Sequence, residues 1–219
     1  MNQDISVTTN QTKVISLGSL LLNPIKNMKR DIILAGVGGQ GILSIATVIG
    51  DAALNEGLYL KQAEVHGMSQ RGGDVQSNLR LSSDPIYSDL ISKGGADLII
   101  SLEPMEALRY LPYLKEDGWI VTSSKPFVNI PNYPEIEDVI KHIEAISYHV
   151  LLDVETLAKE AGAPAQAANM VLLGAAIPML GIDHDKIVEG VKRIFARKGE
   201  TVVAANLAAI EAGYQASNI

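Results

Sequence analysis

The chain contains no cysteine among its 219 residues. Disulfides, thiolate nucleophiles, zinc knuckles and cysteine-ligated iron–sulfur clusters are therefore excluded from it, because each needs a sulfur that is absent. Any electron carrier in a redox reaction would sit on another molecule. Cationic runs are missing too: 18 Lys and Arg stand against 25 Asp and Glu, a net charge of −7. Nucleic acid is not an expected partner, since its binding takes clustered cations that displace counterions. No apolar stretch reaches the ~18 residues that a membrane helix needs. The nearest, Val14 to Leu22, is short and interrupted by Ser16, Gly18 and Ser19. As a signal-peptide core it has only Lys13 before it, offset by Asp4, and no clean small-x-small cleavage site. A cytoplasmic location and no membrane contact are expected. The four histidines, His66, His142, His149 and His184, show no metal-ligand spacing, so no metal site is expected.

What is present points to a folded α/β chain. Hydrophobic residues make up 47% and charged residues 20%, which excludes disorder, collagen and coiled coil. A domain of roughly 150 residues already buries about 70% of its surface, so this chain is long enough for a substantial core. Residues 1–27 are rich in Asn, Gln, Ser and Thr, then briefly apolar, then broken by Pro24, and read as an N-terminal extension. Residues 28–219 read as one catalytic-type domain with a sheet part, 31–152, and a helical part, 153–217. Ile32 to Ala35 is a continuous apolar run of the kind a central parallel strand shows. A glycine turn, Gly36 to Gly41, leads into helical spacing from Ile42 to Leu54, and Leu58 to Val65 forms a second strand. Val75, Ser77, Leu79 and Leu81 alternate with Gln76, Asn78, Arg80 and Ser82, which predicts an antiparallel or edge strand.

Further strands are expected at Asp97 to Leu102, Gly118 to Thr122 and Ser147 to Leu152. Helices are expected from Pro104 to about Leu114, with Pro112 kinking or ending it, and from Glu135 to Ala145. Beyond Asp153 helices are expected at 153–161, 165–180, 184–196 and 200–216, with Asp183 as an N-cap. Ala165 to Leu180 is apolar on most faces and is expected to be buried. The fold class is thus a Rossmann-like, doubly wound, mostly parallel sheet with an antiparallel edge strand and a C-terminal helical segment.

Two loops concentrate the chemistry. Gly36-Val37-Gly38-Gly39-Gln40-Gly41 has the G-x-G-x-x-G spacing between a strand and a helix. Such glycines let backbone N–H groups face an anion at a helix N-terminus. No lysine follows the turn as a phosphate-binding P-loop would require. The ligand class stays open between a dinucleotide, with Glu64 as the acid at the end of strand two, and another phosphate- or adenine-bearing group. Close packing of the helix on the sheet explains the glycines equally. The second loop runs Glu64-Val65-His66-Gly67-Met68-Ser69-Gln70-Arg71-Gly72-Gly73. It follows a strand at the sheet's carboxyl edge, where ligands of such folds bind. Arg71 can grip a phosphate or carboxylate bidentately, and Gly72 and Gly73 permit close approach. Glu64 and His66 are candidates for catalytic work; Gly36, Gly38, Gly39, Gln40, Gly41, Ser69, Gln70, Arg71, Gly72 and Gly73 are candidates for cofactor binding. Glu103-Pro104-Met105-Glu106 either lines the same crevice or forms a helix N-terminus whose acids suit the dipole. Trp119 and Tyr113 read as packing residues.

The stretch Asp31 to Leu43, the Glu64 to Gly73 loop, Gly94 to Arg109 and Asn169 to Ala175 together resemble the gamma subunit or domain of 2-oxoacid:ferredoxin oxidoreductases, over about residues 28–215. Within that family the chain is most similar to the small beta subunits of the indolepyruvate branch. The resemblance implies a division of labour. A large alpha subunit carries thiamine diphosphate with its magnesium and the iron–sulfur clusters, and ferredoxin takes the electrons. A 2-oxo acid, by likeness an arylpyruvate, and coenzyme A become carbon dioxide and an acyl-CoA. The small subunit would close over its partner's active site and touch coenzyme A. It would be inactive alone, with a homodimer of the isolated chain as one assembly. Pyruvate or 2-oxoisovalerate relatives, a self-sufficient NAD(P) dehydrogenase and a non-catalytic ligand-binding module are the alternatives.

Overall fold

A computed structural model describes residues 27–66, 73–128 and 130–219. The expected N-terminal extension therefore lies almost wholly outside the described residues, as do Ser69, Gln70, Arg71 and Gly72. Six strands form one sheet: β1 (Lys29–Val37), β2 (Tyr59–His66), β3 (Asp74–Ser82), β4 (Ala96–Ser101), β5 (Leu114–Ser123) and β6 (His149–Leu152). Their order is β2-β3-β1-β4-β5-β6. Strands β1, β4, β5 and β6 are parallel, and β3 runs antiparallel to both β1 and β2. The antiparallel strand is thus present, but it lies one place in from the edge, which β2 occupies. Its alternation misleads because its polar face is covered: Asn78 Oδ1 accepts the Ile91 amide (3.2 Å), and Arg80 binds Asp31 through two bonds (2.6 and 3.1 Å).

The sheet separates two apolar layers. On one face Ile32, Leu34, Leu79, Leu81, Leu98, Ile100 and Val121 pack beneath helices α1 (Ile42–Asn55), α4 (Val154–Glu160), α5 (Ala168–Leu180), α6 (His184–Phe195) and α7 (Glu200–Ala216). On the other, Ile33, Ala35, Ile99 and Ile120 meet Ala107 and Tyr110 around α2 (Pro104–Arg109), with α3 (Ile136–Glu144) beside α2. Complete burial of both faces is why β1 and β4 read as unbroken apolar runs, each Ile or Leu contributing about 1.5–3 kcal/mol before entropy is counted. Helix α2 stops at Arg109, short of the Leu114 expected, and a 3-10 turn, Leu111–Tyr113, follows. Pro112 lacks the N–H that a continuing helix would use. Strand β5 consequently begins four residues before Gly118.

Helix α5 is buried on nearly all faces because α7 lies across it while its other side meets β4 and β5. The crossing is close. A Cβ at Gly174 would stand 2.0 Å from the Ile210 carbonyl oxygen, and one at Gly213 would stand 1.8 Å from that of Val171. Asp183 occupies the N-cap position of α6, but its side chain makes no capping bond. Trp119 packs against Tyr148 and Tyr113 against Tyr110, with ring centroids 5.3 and 6.2 Å apart. Among the described residues no helix is long and apolar enough to cross a membrane.

Candidate functional site

Because β1, β2 and β4 run in the same direction, their carboxyl ends bring three loops to one edge of the sheet. The first is the glycine turn. Gly36 still belongs to β1, opposite Val75. The Gln40 side chain then folds back across the turn: its Oε1 accepts the Val37 amide (2.7 Å) and its Nε2 donates to the Leu102 carbonyl (3.2 Å). The Gly38 amide donates to the Gly73 carbonyl (2.8 Å) and the Gln40 amide to that of Val37 (3.1 Å). Gly41, the N-cap of α1, has a left-handed φ of 82°. The Asn169 side chain donates to its carbonyl (3.1 Å), and a Cβ on Gly41 would meet Asn169 Nδ2 at 2.6 Å. Conformation and contact both demand glycine there. The turn is therefore fixed from three sides, by Gly73 just before β3, Leu102 just after β4 and Asn169 of α5.

That fixing narrows the anion site. Two of the four amides from Gly38 to Gly41 are occupied within the protein. Among the described residues, the Gly39 and Gly41 amides make no backbone hydrogen bond. The first turn of α1 carries no acidic residue, so the positive end of its dipole faces the turn uncompensated by its own side chains.

The second loop joins β2 to β3 at the same edge. Of its predicted ligand residues the structure places Gly73, directly against Gly38. Glu64 is exposed on β2 opposite Ser77 and accepts from Gln62 Nε2 (2.6 Å); His66 ends the strand opposite Val75. Since β3 separates β2 from β1, Glu64, opposite Ser77 and hence level with Leu34, sits two strand spacings, about 9.6 Å, from the body of β1 and further from the glycine turn. Dinucleotide folds place their ribose-binding acid on the strand immediately beside the first, so the geometry of the NAD(P) alternative is missing.

The third element is the β4–α2 turn. Glu103 is only 1% exposed, and its Oε2 accepts the Glu106 amide (2.8 Å) as the N-cap of α2. Its Oε1 accepts the Phe127 amide (3.4 Å) and the Tyr133 hydroxyl. Burial pushes the Glu103 carboxyl above the usual range, against the hydrogen bonds, and the neighbouring Glu106 adds to it. Burial and the same contact raise the Tyr133 phenol well above its ordinary value. Burial, with Asp74 and Glu106 adding charge repulsion, raises Tyr110 to about 12. Glu106 in turn holds Arg109 through two bonds (2.7 and 3.1 Å).

Sequence reasoning placed Glu103 at this edge but did not find its partners. Phe127 and Tyr133 lie 24 and 30 residues downstream, inside a proline-rich loop with no pattern of its own. Asn169 did leave a trace, as a lone amide opening an apolar helix. A cavity of about 610 Å³ lies elsewhere, at the amino end of β1 around Met28, Asp31, Arg80 and Tyr87. Among the described residues no group of three or more His, Asp or Glu is placed to hold a metal ion.

Comparison with known proteins gives the following matches. The family model described as pyruvate ferredoxin/flavodoxin oxidoreductase matches residues 31–216. The indolepyruvate oxidoreductase subunit IorB of Thermococcus kodakarensis is 36% identical over 197 residues, covering 85% of this chain and 95% of that protein. The 2-oxoglutarate:ferredoxin oxidoreductase of Magnetococcus marinus, solved with 2-oxoglutarate, coenzyme A and succinyl-CoA bound, superposes with a TM-score of 0.70 at 24% identity. That match covers 89% of this chain but spans only 32% of the Magnetococcus chain. The gamma subunit of the keto/oxoacid ferredoxin oxidoreductase of Geobacter sulfurreducens gives 0.64 at 22% identity, covering 86% of this chain and 98% of that one. At these identities the two structures speak for a shared fold.

Proposed function

The chain belongs to the pyruvate ferredoxin/flavodoxin oxidoreductase family, as a small subunit of a 2-oxoacid:ferredoxin oxidoreductase, and on that premise we propose that it completes a cytoplasmic indolepyruvate ferredoxin oxidoreductase. In this reading residues 28–219 form the gamma-type catalytic domain and residues 1–27 its extension. The reaction converts an arylpyruvate and coenzyme A to an arylacetyl-CoA and carbon dioxide, with the electrons passing to ferredoxin. The similarity to IorB carries the substrate assignment, because it extends over 95% of that subunit.

The residues present do not suit the reaction's prosthetic groups. With no cysteine the chain offers no thiolate to a cluster, and its described residues offer no carboxylate set to a magnesium ion. We therefore assign thiamine diphosphate, magnesium and the clusters to the large partner subunit. The contribution of this chain is the carboxyl edge of its sheet, laid against that partner's active site. The Gly39 and Gly41 amides and the dipole of α1 receive phosphate oxygens of coenzyme A, and Arg71 adds a charge-assisted bond.

The test is co-expression with the large subunit and an assay of ferredoxin reduction across 2-oxo acids. Indolepyruvate turnover that requires both chains and coenzyme A is expected. Turnover by the isolated chain, or a large subunit fully active alone, would refute the assignment. Arg71→Ala is expected to raise the KM for coenzyme A about tenfold, the worth of one charged hydrogen bond; an unchanged KM removes that role.

A further inference from the structure

Glu103 is a buried charge to which the proposed reaction gives no task. Placing a carboxylate where 1% of the residue is exposed is costly unless its oxygens are fully bonded. Here every donor it meets lies in a loop or helix at the carboxyl edge of the sheet. One oxygen starts α2. The other receives both the Phe127 amide and the Tyr133 hydroxyl, from the two ends of the segment that follows β5. Lys125 ties the beginning of that segment to Asp153 (2.8 Å). The residue immediately before Glu103, Leu102, holds the glycine turn through Gln40. The loops after β1 and β5, on either side of β4, thus hang from consecutive residues of one turn. The ionisable groups facing Glu103 are Tyr133 from the segment and Glu106 from α2, and Arg109 is turned to Glu106 instead. Phe127 and Val128, 44% and 66% exposed, follow the Phe127 amide, so the apolar surface this segment offers is placed by the same bond.

We propose that Glu103 is a positioning residue: it fixes Phe127 and Tyr133 relative to the glycine turn and thereby sets how firmly the nucleotide end of coenzyme A is held between them. This rests on the coenzyme A reading given above. The carboxylate does not touch substrate in this role. It acts through Phe127 and Tyr133, and its effect falls on binding rather than on the chemical step.

The experiment uses the complex with the large subunit, carrying Tyr133→Phe, Glu103→Gln or Glu103→Ala. Tyr133→Phe removes one donor without leaving a cavity. It is expected to raise the KM for coenzyme A about threefold to tenfold, with kcat held within about twofold and the KM for the 2-oxo acid unchanged. Glu103→Gln keeps an acceptor oxygen and is expected to recover most of what Glu103→Ala loses. Amide exchange at Phe127 in the isolated chain is expected to quicken in Tyr133→Phe. If both KM values and kcat move together, if the coenzyme A KM stays fixed in all variants, or if exchange at Phe127 is unaltered, the proposal is overturned. The wild-type complex separates the two readings. Coenzyme A-dependent turnover there, with unmoved Tyr133→Phe kinetics, sinks only the positioning role. Turnover indifferent to coenzyme A sinks the functional reading and this inference with it.

Discussion

Adding one methyl group to Gly213 sets two effects of opposite sign against each other. Helix propensity favours alanine over glycine by about 1 kcal/mol in a helix interior, so Gly213→Ala should stabilise α7 if nothing else intervened. Packing opposes it. The new Cβ would stand 1.8 Å from the Val171 carbonyl oxygen and 3.0 Å from the Ala175 amide nitrogen. A carbon–oxygen contact of this kind needs about 3.3 Å, so α5 and α7 must part by about 1.5 Å. Neither obstacle is a movable side chain, and Val171 and Ile210 are fully buried. A gap of 0.5–1 Å already forfeits about a quarter to a half of each dispersion contact. Overpacking of ordinary side chains costs about 1–3 kcal/mol; here backbone must move, so a net loss of about 3 kcal/mol or more is expected, out of a total of roughly 5–15. Urea unfolding is the assay, with a lower midpoint at unchanged slope. Gly174→Ala should behave alike, its Cβ lying 2.0 Å from the Ile210 oxygen. Because one parting of the helices relieves both clashes, the double variant should lose clearly less than the sum of the singles. A Gly213→Ala protein as stable as wild type, or strict additivity, would refute the reasoning.

Three other outcomes follow from the structure. Arg80→Ala leaves the Asp31 carboxylate, 5% exposed, without its bidentate partner; a loss of about 3–4 kcal/mol is expected by thermal or urea unfolding, partly restored in Asp31→Asn/Arg80→Met. Glu103 binds its proton more tightly folded than unfolded, so between the ordinary carboxyl range and its raised value it makes stability fall as pH rises. Glu103→Gln abolishes that slope, and unfolding curves taken from pH 4 upward should show wild type losing ground to the variant; a constant difference contradicts the assignment. Asp153 behaves oppositely. Burial would raise its carboxyl, but the bonds from Lys125 and Thr156 outweigh burial and lower it. Asp153→Ala should cost about 1 kcal/mol as a lost N-cap of α4, an effect fading as pH falls through the lowered value.

The legible part of the fold was whatever follows from two-sided burial or helical spacing. Ile32 to Ala35 announced a central strand because neither of its faces meets water. Ala165 to Leu180 announced a buried helix for the same reason, despite Pro178 two residues from its end; its first three residues form a 3-10 turn and α5 begins at Ala168. The position of β3 was illegible, because its polar residues look solvent-facing while Asn78 and Arg80 are held by the 83–95 loop and by Asp31. At the site, spacing marked the glycine turn and put the Glu64–Gly73 loop at the same carboxyl edge, while the Gly38–Gly73 bond came only with the structure. Spacing did not show that Gly38 and Gln40 give their amides to the protein itself, which depends on tertiary contacts to Gly73 and Val37. Glu103 read equally as lining the crevice and as an acid at a helix N-terminus suited to the dipole. Its burial comes from a loop whose Phe127 and Tyr133 reach it only once β5 is in place.

The bond from Asn169 to the carbonyl of Gly41 spans 128 positions of sequence. It makes the last third of the polypeptide a scaffold for the first turn, so severing the chain near residue 153 would yield complementary fragments rather than independent modules. The sheet fragment would be left with a bare oily face and a glycine turn deprived of its Asn169 support. Any recombination or fusion scheme that keeps this site must carry both stretches together.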